Sequence, residues 1–167
     1  HTINTDQGSA RVLYSPDDEA LVTIGTDRTL KVWETENYSL VTTIKRTAGI
    51  NCLDFILDGK MMITGDAEGN ILTWDTSTWE IADQMEVSEN GIGDIKTSHD
   101  QEKFALISGD TIQIWDFSRV EKIQEILVSG PLGPLSFSGD DRFLLSHYYY
   151  LINTESHIWI GNKAMRS

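Results

Sequence analysis

The sequence predicts an all-β fold of four-stranded antiparallel blades, a β-propeller segment, and three observations predict it. Trp33, Trp74 and Trp115 stand 41 residues apart twice over. Each is followed by an acidic residue, Glu34, Asp75 and Asp116, and repeats of roughly 40 to 45 residues with a Trp-Asp signature belong to propeller blades. Between the tryptophans, short apolar-alternating runs are separated by turn residues, the texture of strands and hairpins.

The first blade resolves into Arg11 to Ser15, Ala20 to Gly25, Thr29 to Trp33 and Ser39 to Lys45. Pro16-Asp17-Asp18 and Thr26-Asp27-Arg28 supply the turns between them, because Pro and Asp favour turn geometry. In the third strand Leu30 and Val32 face one way and Lys31 and Trp33 the other. Placing Trp33 over Trp74 aligns Val12 with Leu53, Tyr14 with Phe55, Asp17 with Asp58 and Thr23 with Thr64, without a gap. The second blade then reads Asn51 to Ile56, Lys60 to Gly65, Asn70 to Trp74 and Glu80 to Glu86.

The third blade runs Asp94 to Ser98, Lys103 to Ser108, Thr111 to Trp115 and Lys122 to Val128, with a turn one residue shorter between its second and third strands. The fourth opens with Leu135 to Ser138 and Arg142 to Ser146. Its third strand is assigned to Trp159, with Ile152 as the alternative; Ile152 would demand a tighter turn. Residues 1–167 thus form one array, with blades at about 9–46, 47–88, 89–130 and an incomplete or atypical 131–167. The start at His1 rather than Met and the stop soon after Trp159 lead us to expect three and a half to four blades of a larger ring.

The residues themselves resemble a known family. Ser15-Pro16-Asp17-Asp18, Leu21-Val22-Thr23 and Gly25-Thr26-Asp27-Arg28-Thr29-Leu30-Lys31-Val32-Trp33-Glu34 closely resemble one repeat of the WD-repeat (WD40) β-propellers, over essentially residues 9–160. The resemblance implies a hydrogen-bonded brace in each blade, built from the third-strand Trp, a second-strand Ser or Thr, a tight-turn Asp and a loop His. Trp33, Thr23 and Asp27 match three of those places, and Trp74 with Thr64 match two. The loops at Lys45 to Gly49, Glu86 to Gly91 and Val128 to Pro131 hold no histidine, and Glu68 replaces the turn Asp of the second blade. Each indole N–H therefore needs another acceptor, because a buried unsatisfied donor costs about 1–3 kcal/mol.

Composition narrows the function classes. Against 13 basic residues stand 26 acidic ones, for a net charge of −13, a field that repels phosphate backbones and anionic lipid; no nucleic-acid or membrane partner is expected. Cys52 is the only cysteine, so no internal disulfide forms, in keeping with a cytoplasmic setting. His1, His99, His147 and His157 sit at no ligand spacing, and the acidic turns lack a calcium motif, so no metal is expected. Gly91 and Gly93 open no phosphate-binding helix, and Ser15, Ser108 and Ser146 lack a nucleophile elbow; no cofactor and no catalysis are expected.

What remains is a non-catalytic scaffold for protein–protein interaction, its loops displayed on a rigid frame as a subunit of a multiprotein assembly. A permanent wall of a cytoskeletal, ciliary or coat-like assembly is the alternative, and a propeller hydrolase lacks its clustered residues. One face is expected to present Arg28, Lys45, Arg46, Glu68 and Asn90. The other is expected to present Asp17, Asp18, Glu36, Asp58, Trp79, Asp140 and Asp141 to a basic or mixed partner. Trp79 breaks the repeat pattern in a turn, where a core-edge role and an anchor for a partner both fit. Tyr149, with Tyr148 and Tyr150, forms a second aromatic candidate, whereas Trp33, Trp74, Trp115 and Trp159 are packing elements.

Overall fold

A computed structural model describes residues 8–128, 132–146, 150–154 and 159–160. Four antiparallel four-stranded sheets follow one another along the chain, each meandering in sequence order. The first holds β1 (Ser9–Tyr14), β2 (Ala20–Gly25), β3 (Thr29–Glu34) and β4 (Leu40–Lys45). The second holds β5 (Ile50–Ile56), β6 (Met61–Asp66), β7 (Asn70–Asp75) and β8 (Glu80–Glu86). The third holds β9 (Ile92–Thr97), β10 (Lys103–Ser108), β11 (Thr111–Asp116) and β12 (Glu121–Leu127). The fourth holds β13 (Leu135–Phe137), β14 (Phe143–Ser146), β15 (Tyr150–Asn153) and β16 (Trp159–Ile160).

The strands form where β-branched and aromatic residues concentrate, as in Leu21-Val22-Thr23-Ile24, and end where turn chemistry takes over. The tightest connection is the two-residue Gly109-Asp110 turn between the paired residues Ser108 and Thr111, with Gly109 at φ 58°. Three sheets share a register shift beside the repeat tryptophan, between Val32 and Trp33, Thr73 and Trp74, and Ile114 and Trp115. Such a bulge bends the strand and increases its local twist, giving the blades a common shape.

The chain divides into two compact units, His1–Gly93 and Asp94–Ser167. In the first, Val22, Ile24, Leu30 and Val32 pack against Leu53, Phe55, Met62, Leu72 and Trp74. Cross-strand pairing of Val22 with Val32 and of Ile24 with Leu30 puts the four aliphatic side chains on one face. Burying each is worth about 1.5–3 kcal/mol. Val12 and Tyr14, the β1 counterparts of Leu53 and Phe55, are more than half exposed at 55% and 51%. In the second unit Ala105, Ile107, Ile112 and Ile114 pack against Leu135, Phe137, Leu144 and Ile152.

The fourth sheet corrects one expectation. Ile152, not Trp159, occupies the third strand: it pairs with Leu144, as Trp33, Trp74 and Trp115 pair with Leu21, Met62 and Phe104. Trp159 belongs to the fourth strand, paired with Ile152. Ser146 pairs with Tyr150, leaving three residues between them, which is an ordinary hairpin length. A fully buried Ile152 supplies the apolar volume expected of an aromatic there.

Candidate functional site

Each blade is held at its ends by short polar braces. Trp33 Nε1 donates to Thr23 Oγ1 at 3.1 Å, and Trp74 Nε1 to Thr64 Oγ1 at 3.0 Å. Trp115 Nε1 donates to Gln113 Oε1 at 3.0 Å, on its own strand, while its ring stacks on Phe104 with centroids 6.0 Å apart. Asp27 does not join the Trp33–Thr23 pair. Its Oδ1 instead accepts the hydroxyl and backbone N–H of Thr29, at 2.6 and 3.2 Å, and fastens its own turn. In the second blade that task falls not to position 68 but to Asp66, a buried carboxylate that accepts from Glu68 N–H, Asn70 N–H and the Asn70 amide.

The turn between the first and second strands carries a repeated device in three of the sheets. Ser15, Ser98 and Ser138 each donate a hydroxyl to the Asp two residues later, Asp17, Asp100 and Asp140. The Ser15 hydroxyl, helped by the Glu19 N–H, holds the Asp17 carboxyl below its usual value. In the second blade Ile56 replaces the serine, and Leu57–Gly59 forms a single 3-10 turn with Asp58 at φ 53°. Asp58 is exposed there.

Trp79 sits in the β7–β8 turn at φ 58°, its N–H donating to Asp75 O at 2.7 Å. Asp75 is engaged in turn by the N–H and hydroxyl of Ser77 at 2.8 and 2.6 Å. Thr76 donates to Gly59 O at 2.7 Å, tying this turn to the β5–β6 turn. Trp79 is half-buried and packs against the apolar cluster of the first unit, so it is both edge of the core and wall of a cleft.

That cleft, about 510 Å³, opens between the turns of the first sheet and those of the second. Val32 and Trp33, both buried, and the half-buried Trp79 give it apolar walls. Five carboxylates border it, those of Asp17, Asp18, Glu19, Glu34 and Glu36, and among the described residues no Lys, Arg or His lines it. Glu34 accepts from Asn37 at 2.9 Å and Ser39 at 3.1 Å. The exposed carboxylates of Asp18, Glu19 and Glu36 take no hydrogen bond among the described residues.

The structure thus brings Trp79, Asp17 and Asp18 together, with Trp33, and leaves Asp58 outside the cleft. Arg28 and Arg46 lie at the other ends of the strands, where Arg28 Nη1 donates to Thr47 O at 3.0 Å and Arg46 N–H to Arg28 O at 3.1 Å. Tyr149 and the Trp159 side chain lie outside the described residues. Asp141 is not presented to a partner: it is buried and accepts the His99 N–H at 2.9 Å, the His99 ring Nδ1 at 2.8 Å and the Asp100 N–H at 2.8 Å. Among the described residues no group of three His, Cys, Asp or Glu is placed to hold a metal ion, and no helix is long and apolar enough to cross a membrane.

Consecutive four-stranded meanders, three of them bulged beside the third-strand tryptophan, are the blades of a β-propeller segment built of sequence repeats. The family described as "WD domain, G-beta repeat" matches residues 38–75 of the chain. The chain is 29% identical over 171 aligned residues to the "WD repeat-containing protein WDS homolog" of Arabidopsis thaliana, covering 95% of this chain and 31% of that protein. To the "Small ribosomal subunit protein RACK1" of Caenorhabditis elegans it is 26% identical over 118 residues, covering 69% of this chain and 36% of that protein. The chain therefore spans about a third of the length of these relatives. A solved structure, "Structure of U3-55K", has the same fold, with TM-score 0.82 at 12% identity over 95% of this chain and 52% of that one.

Proposed function

We propose that the chain is a non-catalytic protein–protein interaction scaffold that docks partners on the rim bearing Trp79. The observation that carries this reading is the 510 Å³ cleft, walled by Trp33 and Trp79 and bordered by turns that their own hydrogen bonds hold in place. A half-buried aromatic with a polar surround is the anatomy of a binding hot spot, and braced turns lower the ordering entropy lost on binding. Its net charge of −13 directs it away from nucleic acid and anionic membrane, and we place its work in the cytoplasm.

Affinity purification of the native protein carrying this chain tests the reading, run side by side with Trp79→Ala and with Asp18→Asn/Glu36→Gln. The scaffold reading expects stoichiometric partners with the native protein and their selective loss from the cleft variants, with the circular dichroism spectrum retained. Partners retained undiminished by both variants would remove this rim as the docking site.

A further inference from the structure

We infer that the Trp33–Trp79 cleft takes the arginine side chain of an extended basic peptide segment in a partner protein. The inference rests on the scaffold reading and names the chemistry of the occupant. Its first ground is charge. Five carboxylates border one cleft without a basic residue among the described lining, and three of them, Asp18, Glu19 and Glu36, carry no hydrogen bond among the described residues. Like charges gathered this way repel one another until a cation arrives.

The second ground is the material of the walls. A metal ion would require converging oxygens, and no group of three candidate ligands converges among the described residues. Val32, Trp33 and Trp79 instead add apolar surface to the same lining as the carboxylates. An arginine matches both halves. Its methylene stem lies along apolar surface, its guanidinium stacks on the half-buried Trp79 indole, the Trp33 ring already having Lys31 Nζ 5.8 Å from its centroid, and its fork of N–H donors binds a carboxylate in bidentate fashion. Lysine has the charge without the plane, so it binds in the same place more weakly.

The third ground is size. At about 510 Å³ the cleft lies within the roughly 300–1,000 Å³ of sites that enclose a ligand, so it accommodates the arginine with its flanking residues. Glu36 and Asp18 stand on different turns of the first sheet, β3–β4 and β1–β2, joined where Thr35 donates to Asp18 O. A second basic residue of the same segment thus has its own carboxylate.

The test is a fluorescence-anisotropy titration of the full chain with a labelled peptide carrying two arginines in an Ala-Gly-Ser background, at near-physiological salt. Saturable binding is expected, about threefold to tenfold tighter than for the lysine peptide, with spermine and a glutamate peptide failing to compete. Trp79→Ala should weaken binding about tenfold or more. Asp18→Asn/Glu36→Gln alters only exposed carboxylates, so it reads the site even where Trp79→Ala perturbs folding, and it should weaken binding about tenfold.

The matched control Glu68→Gln/Glu86→Gln removes two charges from the opposite rim and should change affinity less than about twofold. Equal weakening by control and cleft variants, equal competition by spermine, or no saturable binding would each overturn the arginine assignment. If native partners are nonetheless lost with Trp79→Ala, the scaffold reading stands and only the cationic occupant falls. If neither peptide nor partner responds to the cleft variants, both fall.

Discussion

The Trp115 indole donates to Gln113, two residues earlier on the same strand, whereas Trp33 and Trp74 reach across to threonines of the neighbouring strand. Register explains the difference. Thr23 and Thr64 pair with Lys31 and Leu72, the residues two before each tryptophan. In the third sheet the residue paired with Gln113 is Leu106, which has no hydroxyl to offer. Gln113, at 4% exposure, turns its amide oxygen into the vacated position.

Replacing Gln113 with Leu should therefore strand a buried indole donor and cost about 1–3 kcal/mol. Urea denaturation of the native chain and the variant measures it. A loss under about 0.5 kcal/mol would mean that another acceptor or a water serves Trp115 equally well.

Trp74 is 1% exposed and belongs to the cluster shared by the first two sheets, whereas Trp33 shows one side to the cleft. Trp74→Ala should cost about 3–5 kcal/mol through the cavity it leaves. Trp33→Ala should cost less, because the space it vacates adjoins solvent and refills with water. Equilibrium unfolding of both variants gives the order, and a larger loss at Trp33 would reverse this account of which tryptophan anchors the first unit.

The array of strands was legible because spacing, alternation and turn residues all carry the same period, so that Ala20 to Gly25 and Thr29 to Trp33 could be placed within a residue of β2 and β3. The fourth blade misled where residue type was weighed above register: Trp159 looked like the repeat tryptophan, yet Leu144 pairs with Ile152. Hydrogen-bond roles also migrate between neighbours. Asp66 does what position 68 was expected to do, and Gln113 does what a threonine does elsewhere. A matched motif fixes a position, while the physics requires only an acceptor within reach. Trp79 was visible because it breaks the repeat, but its meeting with Trp33 depends on how two sheets lie together, which no local pattern encodes. Asp141 appeared to be one more solvated turn carboxylate, and its partners His99 and Asp100 lie about 40 residues away.

Gly69 holds φ +89°, and a Cβ there would stand 1.9 Å from Ser88 O. Its own carbonyl accepts the N–H groups of Val87 and Ser88 at 3.0 and 3.3 Å, so the backbone it would strike is already fastened to it. Gly69→Ala is expected to cost about 3 kcal/mol or more. Gly139→Ala, where nothing lies within 4 Å of the added carbon, should stay within about 0.5 kcal/mol of the native chain. Thermal unfolding of the pair is the comparison, and a tolerated Gly69→Ala would show that the β8–β9 connection can move aside.

The last prediction concerns acid. Burial pushes the Asp141 carboxyl up, but the His99 N–H, the His99 ring and the Asp100 N–H bind its charged form and together hold it below the usual 3.8. A carboxyl lowered in the folded state adds stability that is complete above its unfolded value and disappears as the pH falls through its folded value. The second unit should therefore hold this contribution at neutral pH and begin to lose it below about 4. Asp17, Asp27, Asp75, Asp116 and Asp140 are lowered too and titrate in the same window, so the native pH curve alone does not isolate Asp141. The difference curve against Asp141→Asn does. At pH 7 the variant should be less stable by about 1.5–3 kcal/mol, the worth of a hydrogen bond to a charged group, because an amide both loses the charge and turns a donor toward donors. That gap should narrow as the pH falls from about 4 toward 2, where the native carboxyl takes up its proton. Urea midpoints for both chains across this range decide it, and a gap that stays constant down to pH 2 would mean that Asp141 acts by shape rather than by charge.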